Sequence, residues 1–364
     1  MTPVHEQIEK EDSDKALLQK LKKKRNRYES LQLALFLRVL RKGKVSFRKL
    51  FNIFLCSAAY ILKSDKSAPS PFILSLELWN ECNAGCLFCR DKKGRIYDVN
   101  AQGTGVIDKG KMPVEMAADI IRQLKDDVLI AVLYTNGEPL LYPDLAKLVQ
   151  AATESRVATM MATNGLLWTQ EKARAVLSAG IDFIKIQLSG YTQDIYSVQI
   201  RYGDVEKLKD NIRMLARINE EEGYKAVIMV DYILYHYNRH QLDLVKEFCK
   251  ELGVMLNIRP GNPKGGLEDK EPPLHPQPLP LKISCDWLWK GMQVNWNGDV
   301  LQCCDGVVWS GSEPYATFRS GAVNAREIWN GPKARKTRAI MRVQGRGGMP
   351  MCSQCTRTGV AFKW

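Results

Sequence analysis

Between Pro71 and Pro260 the chain alternates six short β-rich runs with helical stretches, and nothing else in it restricts the fold so strongly. The runs are FILSLEL (72–78), VLIAVLY (128–134), VATMMAT (157–163), DFIKIQL (182–188), KAVIMVDYIL (225–234) and VMLNIR (254–259). VEMAADIIRQLK, PDLAKLVQAATES, TQEKARAVLSAG, DVEKLKDNIRMLARINEEE and HQLDLVKEFCKELG fill the gaps with helical periodicity. A strand joined to the next through a helix needs a parallel neighbour reached by a right-handed crossover. The expectation is therefore an α/β fold, a partial (β/α)6 TIM-like barrel over residues 69–260. Loops that follow the strands gather at one rim of such a barrel, where its chemistry is placed.

Other segments flank this body. Residues 1–66 hold 16 Lys/Arg against 7 Asp/Glu, most of the net charge of +13, so 1–68 reads as a basic helical arm. Asp12 to Asp14 cap a first helix that ends near Gly43, and Ser46 caps a second through FRKLFNIFLCSAAYILK. In the second, Phe47, Leu50, Phe51, Phe54, Leu55, Ala58, Ile61 and Leu62 recur at helical spacing and form an apolar face. That face either packs on the body or lies in a membrane interface. Nucleic acid is the weaker partner, because KKKRNR lacks interleaved aromatics. Residues 261–282 contain six of the sixteen prolines and read as a linker. Residues 283–364 read as a small α+β region, with a hairpin turning at Asn297-Gly298 and a helical NAREIWN.

Compartment follows from composition. Ten cysteines in 364 residues are too few for a disulfide scaffold, and the opening MTPVHEQIEKEDSDK is too polar for a secretory signal. A reducing, cytoplasmic location is expected, with contact at the inner face of the membrane as an option through the arm. The apolar stretch Leu50 to Leu62 falls short of the roughly 20 residues of a spanning helix.

Three of the cysteines, Cys82, Cys86 and Cys89, crowd one loop, ECNAGCLFC, directly after the first strand. Three thiolates on a four-iron cluster leave one iron open to a small molecule. A zinc site would need a fourth ligand, and no His lies nearby; unrelated structural thiols are the remaining reading. The CxxxCxxC loop after a first barrel strand, with Phe88 just before the last Cys, resembles the radical S-adenosylmethionine (SAM) enzymes, over roughly residues 71–364. The resemblance implies that the open iron chelates SAM, that an electron from the cluster cleaves it, and that the resulting 5'-deoxyadenosyl radical takes hydrogen from a substrate. It also implies an external one-electron reductant such as a flavodoxin or ferredoxin.

Further loops match the same family. Asn136-Gly137-Glu138-Pro139 is similar to its Gly-Gly-Glu-Pro segment, whose backbone and Glu hold the SAM ammonium, and Asn136 is expected to keep a left-handed turn. ATNG (162–165) is also family-like. Gln187-Leu188-Ser189-Gly190 stands where relatives show Ser-Leu-Asp-Gly, so Gln187 takes the place of the Ser that touches SAM, and its amide can bond a carboxylate. Arg201 sits where relatives have an Arg that pairs with SAM or orders the loop.

Cys285, Cys303, Cys352 and Cys355, with NGDVLQCCDG and IWNG, resemble the shortened "twitch" form of the SPASM domain, which carries one auxiliary 4Fe-4S cluster. A four-Cys zinc ribbon fits the same spacing, and Cys304 could replace Cys303. Cys56 and Cys249 read as core, and His5, His236, His240 and His275 lack ligand spacing.

The expected function is abstraction of hydrogen from an unactivated C–H of a sugar-like, lipid or lipid-linked substrate, in an oxidation or bond-forming reaction. Epimerisation, with Cys304 as hydrogen donor, and peptide maturation are alternatives. A non-catalytic iron-sulfur scaffold that binds RNA is the alternative of a different class. Arg259, Tyr232 and Tyr235, near strand ends, are basic and aromatic candidates for the substrate pocket, with a structural role the favoured reading of each.

Overall fold

The structure is a computed structural model that describes residues 39–67, 69–90, 96, 107–261, 281, 282, 284–309 and 311–355. The basic run KKKRNR, most of the first arm helix and nearly all of the proline-rich linker lie outside the described residues. Two compact units are present, Met1–Val45 with Phe362–Trp364, and Ser46–Ala361. In the first, residues 39–41 are helical and Gly43 takes a φ of +67°, closing the helix end where the sequence placed it.

The second unit begins with α1 (Phe47–Ile61), whose N-cap Ser46 accepts a hydrogen bond from the Lys49 backbone N–H. The barrel follows as β1 (Ile73–Leu76), α2 (Val114–Leu124), β2 (Ile130–Val132), α3 (Leu145–Glu154), β3 (Ala158–Thr163), α4 (Gln170–Ser178) and β4 (Phe183–Leu188). It continues through α5 (Gln193–Ser197), α6 (Val205–Glu221), β5 (Val227–Leu234), α7 (Leu242–Glu251) and β6 (Met255–Pro260). Every adjacent pair from β1 to β6 is parallel, as the crossover argument requires. Among the described residues the sheet does not close.

Beyond the linker come α8 (Trp287–Lys290), β7 (Gly291–Val294), β8 (Asp299–Leu301), β9 (Ala316–Thr317), α9 (Ala325–Trp329), α10 (Pro332–Gln344) and α11 (Pro350–Ser353). Its hairpin does not stand apart from the barrel. β7 pairs parallel with β1, from Ile73 with Gly291 to Leu76 with Val294, so one sheet runs β6-β5-β4-β3-β2-β1-β7-β8-β9. Behind the hairpin, the buried Arg338 donates to the carbonyls of Leu288 and Trp329 and lies over the Trp329 ring.

The apolar face of α1 was expected to meet the body or a membrane, and the body is met by the other face. Lys49, Asn52 and Cys56 are buried; Asn52 donates to the Ser70 and Asp127 carbonyls, and Lys49 Nζ to the Arg156 carbonyl. Asp127 is the hub of this seam, accepting from Arg48 Nε at 2.8 Å, Ser70 Oγ at 2.9 Å and Arg326 Nη2 at 2.9 Å. Hydrogen-bonded polar groups hold the helix down, which leaves Phe47 (84% exposed), Phe51, Phe54 (63%), Ile61 and Leu62 on the outside. No helix among the described residues is long and apolar enough to cross a membrane.

Candidate functional site

The cysteine loop starts where β1 ends, at the carboxyl rim of the sheet, and it is held from three sides. Leu87 N–H donates to the Gln199 carbonyl and Tyr202 N–H to the Ala84 carbonyl. Arg201 Nε reaches the Gly85 carbonyl at 2.6 Å, and its Nη2 reaches the Arg90 carbonyl at 3.0 Å. Of the two roles weighed for Arg201, the geometry displays the ordering of this loop. Gly85 takes a φ of +61°, and a Cβ there would lie 2.5 Å from the Tyr202 ring, so only glycine lets the strap close. Phe88 sits half-buried beside Cys89.

The β2 loop locks onto the same segment. Arg90 Nη2 bridges the Asn80 and Asn136 carbonyls at 2.7 and 2.9 Å, and Glu138 N–H donates to the Glu81 carbonyl. Gly137 packs so closely that a Cβ would fall 1.7 Å from the Trp79 carbonyl oxygen. Close approach explains this glycine, because neither Gly137 nor Asn136 has a positive φ. The left-handed turn expected at Asn136 is thus corrected: its side chain is what is used, donating to Glu77 Oε1 at 3.0 Å.

Glu138 is buried and its carboxylate is occupied within the protein. Oε1 accepts from Leu140 N–H at 3.0 Å and Thr163 Oγ1 at 2.6 Å, and Oε2 from Asn164 N–H at 2.8 Å. Burial raises its pKa against the pull of these bonds. What Glu138 holds directly is the ATNG loop, and Asn164 from that loop donates to Asn83 Oδ1 and lies 3.8 Å from Cys82 Sγ. Pro139 follows at the start of a short 3-10 turn. Glu138 therefore links the loops after β1, β2 and β3 into one piece.

Two faces of the sheet have to be distinguished. A Cβ on Gly165 would meet Ile186 of β4 and Leu208 of α6 together, so Ile186 faces the helices. Lys185 and Gln187, one residue either side, face the concave lumen. Gln187 Nε2 is buried there without a protein partner, as are Glu77 Oε2 and Gln293 Oε1, while Ser189 Oγ is a further unpartnered buried atom beyond β4. Glu77, missed in the sequence reading, has its pKa raised to about 7 by burial, opposed by its bond from Asn136. Asp231 of β5 is missed likewise: Oδ2 accepts from Lys185 Nζ at 3.1 Å and Arg259 Nε at 2.9 Å, and Oδ1 from Asn257 Nδ2. Tyr232 belongs to the other face, where its hydroxyl donates to the Asn238 carbonyl.

Whether these cysteines suit an iron-sulfur cluster can be judged from their chemistry. None of the ten is in a disulfide. Burial pushes the Cys86 thiol well above its usual pKa, and the neighbouring Cys89 and Cys82 push it further. Crowded, buried thiols become thiolates only against a compensating cation. Among the described residues no three His, Cys, Asp or Glu side chains converge closely enough to hold a single metal ion, whereas a four-iron cluster takes each thiolate at a separate iron. The donor set fits. In the carboxy-terminal region, Cys285 and Cys303 pack against a core that contains Cys352. Burial raises Cys285 to about 11 and Cys352 to about 12, with Cys355 adding to both. Cys303 is raised by burial first, then by Cys304, Asp305, Cys285 and Cys352, so Cys303 stands against the other thiols of the set and Cys304 beside it.

A family model described as the radical SAM superfamily matches residues 76–249, and a SPASM iron-sulfur cluster-binding domain matches 285–356. Mycofactocin maturase MftC of Mycobacterium tuberculosis is 25% identical over 62% of this chain and 53% of its own. A probable GTP 3',8-cyclase of Methanocaldococcus jannaschii is 24% identical over 51% of this chain and 57% of its own. The chain thus spans about half the length of the curated relatives it matches. Streptococcus suis SuiB bound to precursor peptide SuiA superposes with a TM-score of 0.58 at 13% identity, covering 82% of this chain and 73% of that one. BtrN in complex with AdoMet and 2-DOIA gives 0.51 at 17%, covering 81% and 96%. At such identities the likeness is one of fold.

Proposed function

The chain belongs to the radical SAM superfamily and carries a SPASM domain behind its barrel, and from that premise we propose that it cleaves SAM reductively and oxidises or couples a small non-peptide substrate. The observation that carries the reading is the strapped loop that presents Cys82, Cys86 and Cys89 at the rim, tied through Asn164 to the buried Glu138. When bound, the cluster supplies the electron that splits SAM. The chain's own groups do the rest: Arg201 and Arg90 fix the loop, Gly137 permits the close approach, and Gln187 Nε2 near the end of β4 and Ser189 Oγ just past it offer unused hydrogen-bonding atoms for SAM. Cys285, Cys303, Cys352 and Cys355 would hold one auxiliary cluster to take up an electron from the substrate radical, and a flavodoxin- or ferredoxin-like protein would supply the first. Peptide maturation is the second reading, favoured by the curated relative named a maturase and by the SuiB fold. Anaerobically reconstituted protein with dithionite should release 5'-deoxyadenosine from SAM; a scaffold protein would release none.

The same reading includes a peripheral membrane contact at the cytoplasmic face. The outward apolar stripe of α1, with Phe47, Phe51 and Phe54 stacked in series, supplies an insertion face. The basic excess of residues 1–66 supplies attraction to anionic headgroups. Full-length protein should float with phosphatidylglycerol liposomes, and F51S/F54S should float several-fold less. Because these side chains are exposed, the variants leave the packing of α1 intact, and equal flotation would exclude this contact.

A further inference from the structure

The lumen wall opposite the helices carries more positive charge than the protein itself uses. Asp231 is 1% exposed and stands between Lys185 Nζ and Arg259 Nε, so one carboxylate faces two cations and the group keeps a net charge of +1. As glue this arrangement is poor, because burying charges costs more than packing apolar side chains of like volume. It is also unfinished. The Arg259 side chain is 46% exposed and Lys185 20%, and Arg259 spends only Nε on Asp231; among the described residues its terminal Nη donors have no partner. Register places all of these groups on one face: Gln187 lies opposite Asp231, Asp231 opposite Asn257, and Ile233 opposite Arg259. Gln187 Nε2 is a further unused donor on that face, and Tyr134, past the end of β2, lies close enough to Arg259 to act on its charge. Asp231 thus serves as a rigid mount that aims a guanidinium fork and an ammonium into the lumen.

We infer that Arg259 and Lys185, mounted on Asp231, form the substrate anchor of this barrel, and that the substrate carries an oxyanion, a carboxylate or a phosphate, which the Arg259 Nη fork binds. This deepens the function proposed above and rests on it for the word substrate. The anchor has no step of bond making; it positions the substrate by charge and by bidentate hydrogen bonding.

The test uses full-length reconstituted protein, saturated with S-adenosylhomocysteine so that the SAM site is filled. Isothermal titration in about 0.15 M salt with inorganic phosphate, and separately with succinate, distinguishes the two oxyanions. Binding of at least one is expected, weakened tenfold or more in R259Q and several-fold in K185M. R259K, which keeps the charge and loses the fork, should fall between R259Q and the parent. Melting curves identify any variant that fails to fold, and the other variants then decide. Absence of binding in the parent, affinities in folded variants within twofold of it, or binding seen only without S-adenosylhomocysteine would each overturn the anchor. The last result would assign the wall to the SAM carboxylate. Release of 5'-deoxyadenosine by the parent is scored separately, so failure of the SAM reaction and failure of the anchor are told apart.

Discussion

Replacing Cys82, Cys86 and Cys89 together by alanine should bring 5'-deoxyadenosine release to the uncatalysed background, while an iron-sulfur absorbance survives. The loop that holds these thiols is fixed by main-chain bonds and by Arg201 and Arg90, none of which uses a sulfur atom. Removing the sulfurs therefore removes ligands and leaves the strap. The second thiol set is gathered by its own core around Leu288, Trp289, Met341 and Met351 and should keep its iron. Iron should fall from about eight to about four per chain, the difference being one four-iron cluster. Unchanged release of 5'-deoxyadenosine, or loss of all iron, would contradict the separate roles given to the two sets.

Gly137→Ala should be nearly as damaging, though it touches no sulfur. The added methyl would lie 1.7 Å from the Trp79 carbonyl oxygen and 2.9 Å from that of Glu81, both main-chain atoms that no rotamer change can clear. The β2 loop must retreat, and with it go the Glu138 N–H bond to Glu81 and the Asn136 carbonyl that Arg90 grips. Overpacking of this kind costs about 1 to 3 kcal/mol of stability. A displacement of about 1 Å at reacting groups costs about 10²-fold in rate. SAM cleavage by G137A should thus drop about a hundredfold, with cluster absorbance retained and the melting temperature lowered by several degrees. A variant as active as the parent would show that this contact does not position the loop.

Much of this architecture was legible in the sequence. Five of the six barrel strands formed within the runs that showed β character and β6 overruns its run by Pro260; the five expected helices differ by a residue or two at their ends, and the short α5 was not foreseen. Local signals sufficed because hydrophobic period and capping are local. What escaped was set by distant partners. The buried face of α1 is polar because Lys49 and Asn52 find the Arg156 and Ser70 carbonyls, with the exposed Arg48 reaching in to Asp127, partners that no helical period discloses. The parallel union of β7 with β1 joins positions more than two hundred residues apart. α10 escaped for a different reason: Pro332 and Gly345 punctuate it, yet its buried side is only Ala334, Arg338 and Met341, too few apolar positions to show a period. In the site, the cysteines and the Gly137-Glu138 pair announced themselves by motif. Of the lumen charges only Arg259 stood out, at a strand end; Lys185 in FIKIQL and Asp231 in VIMVDYIL did not, although they interrupt otherwise apolar strands, the signal that could have exposed them.

The shared seam between β7 and β1 also governs how this protein can be taken apart. A fragment ending before Cys285 would leave β1, buried along its whole length, with a bare row of amide and carbonyl groups along one side. Such an edge recruits other chains, so the barrel by itself should precipitate or pair with copies of itself. The second cluster's region is in this sense the selvage of the cloth: it carries its own metal, and it also keeps the weave from unravelling.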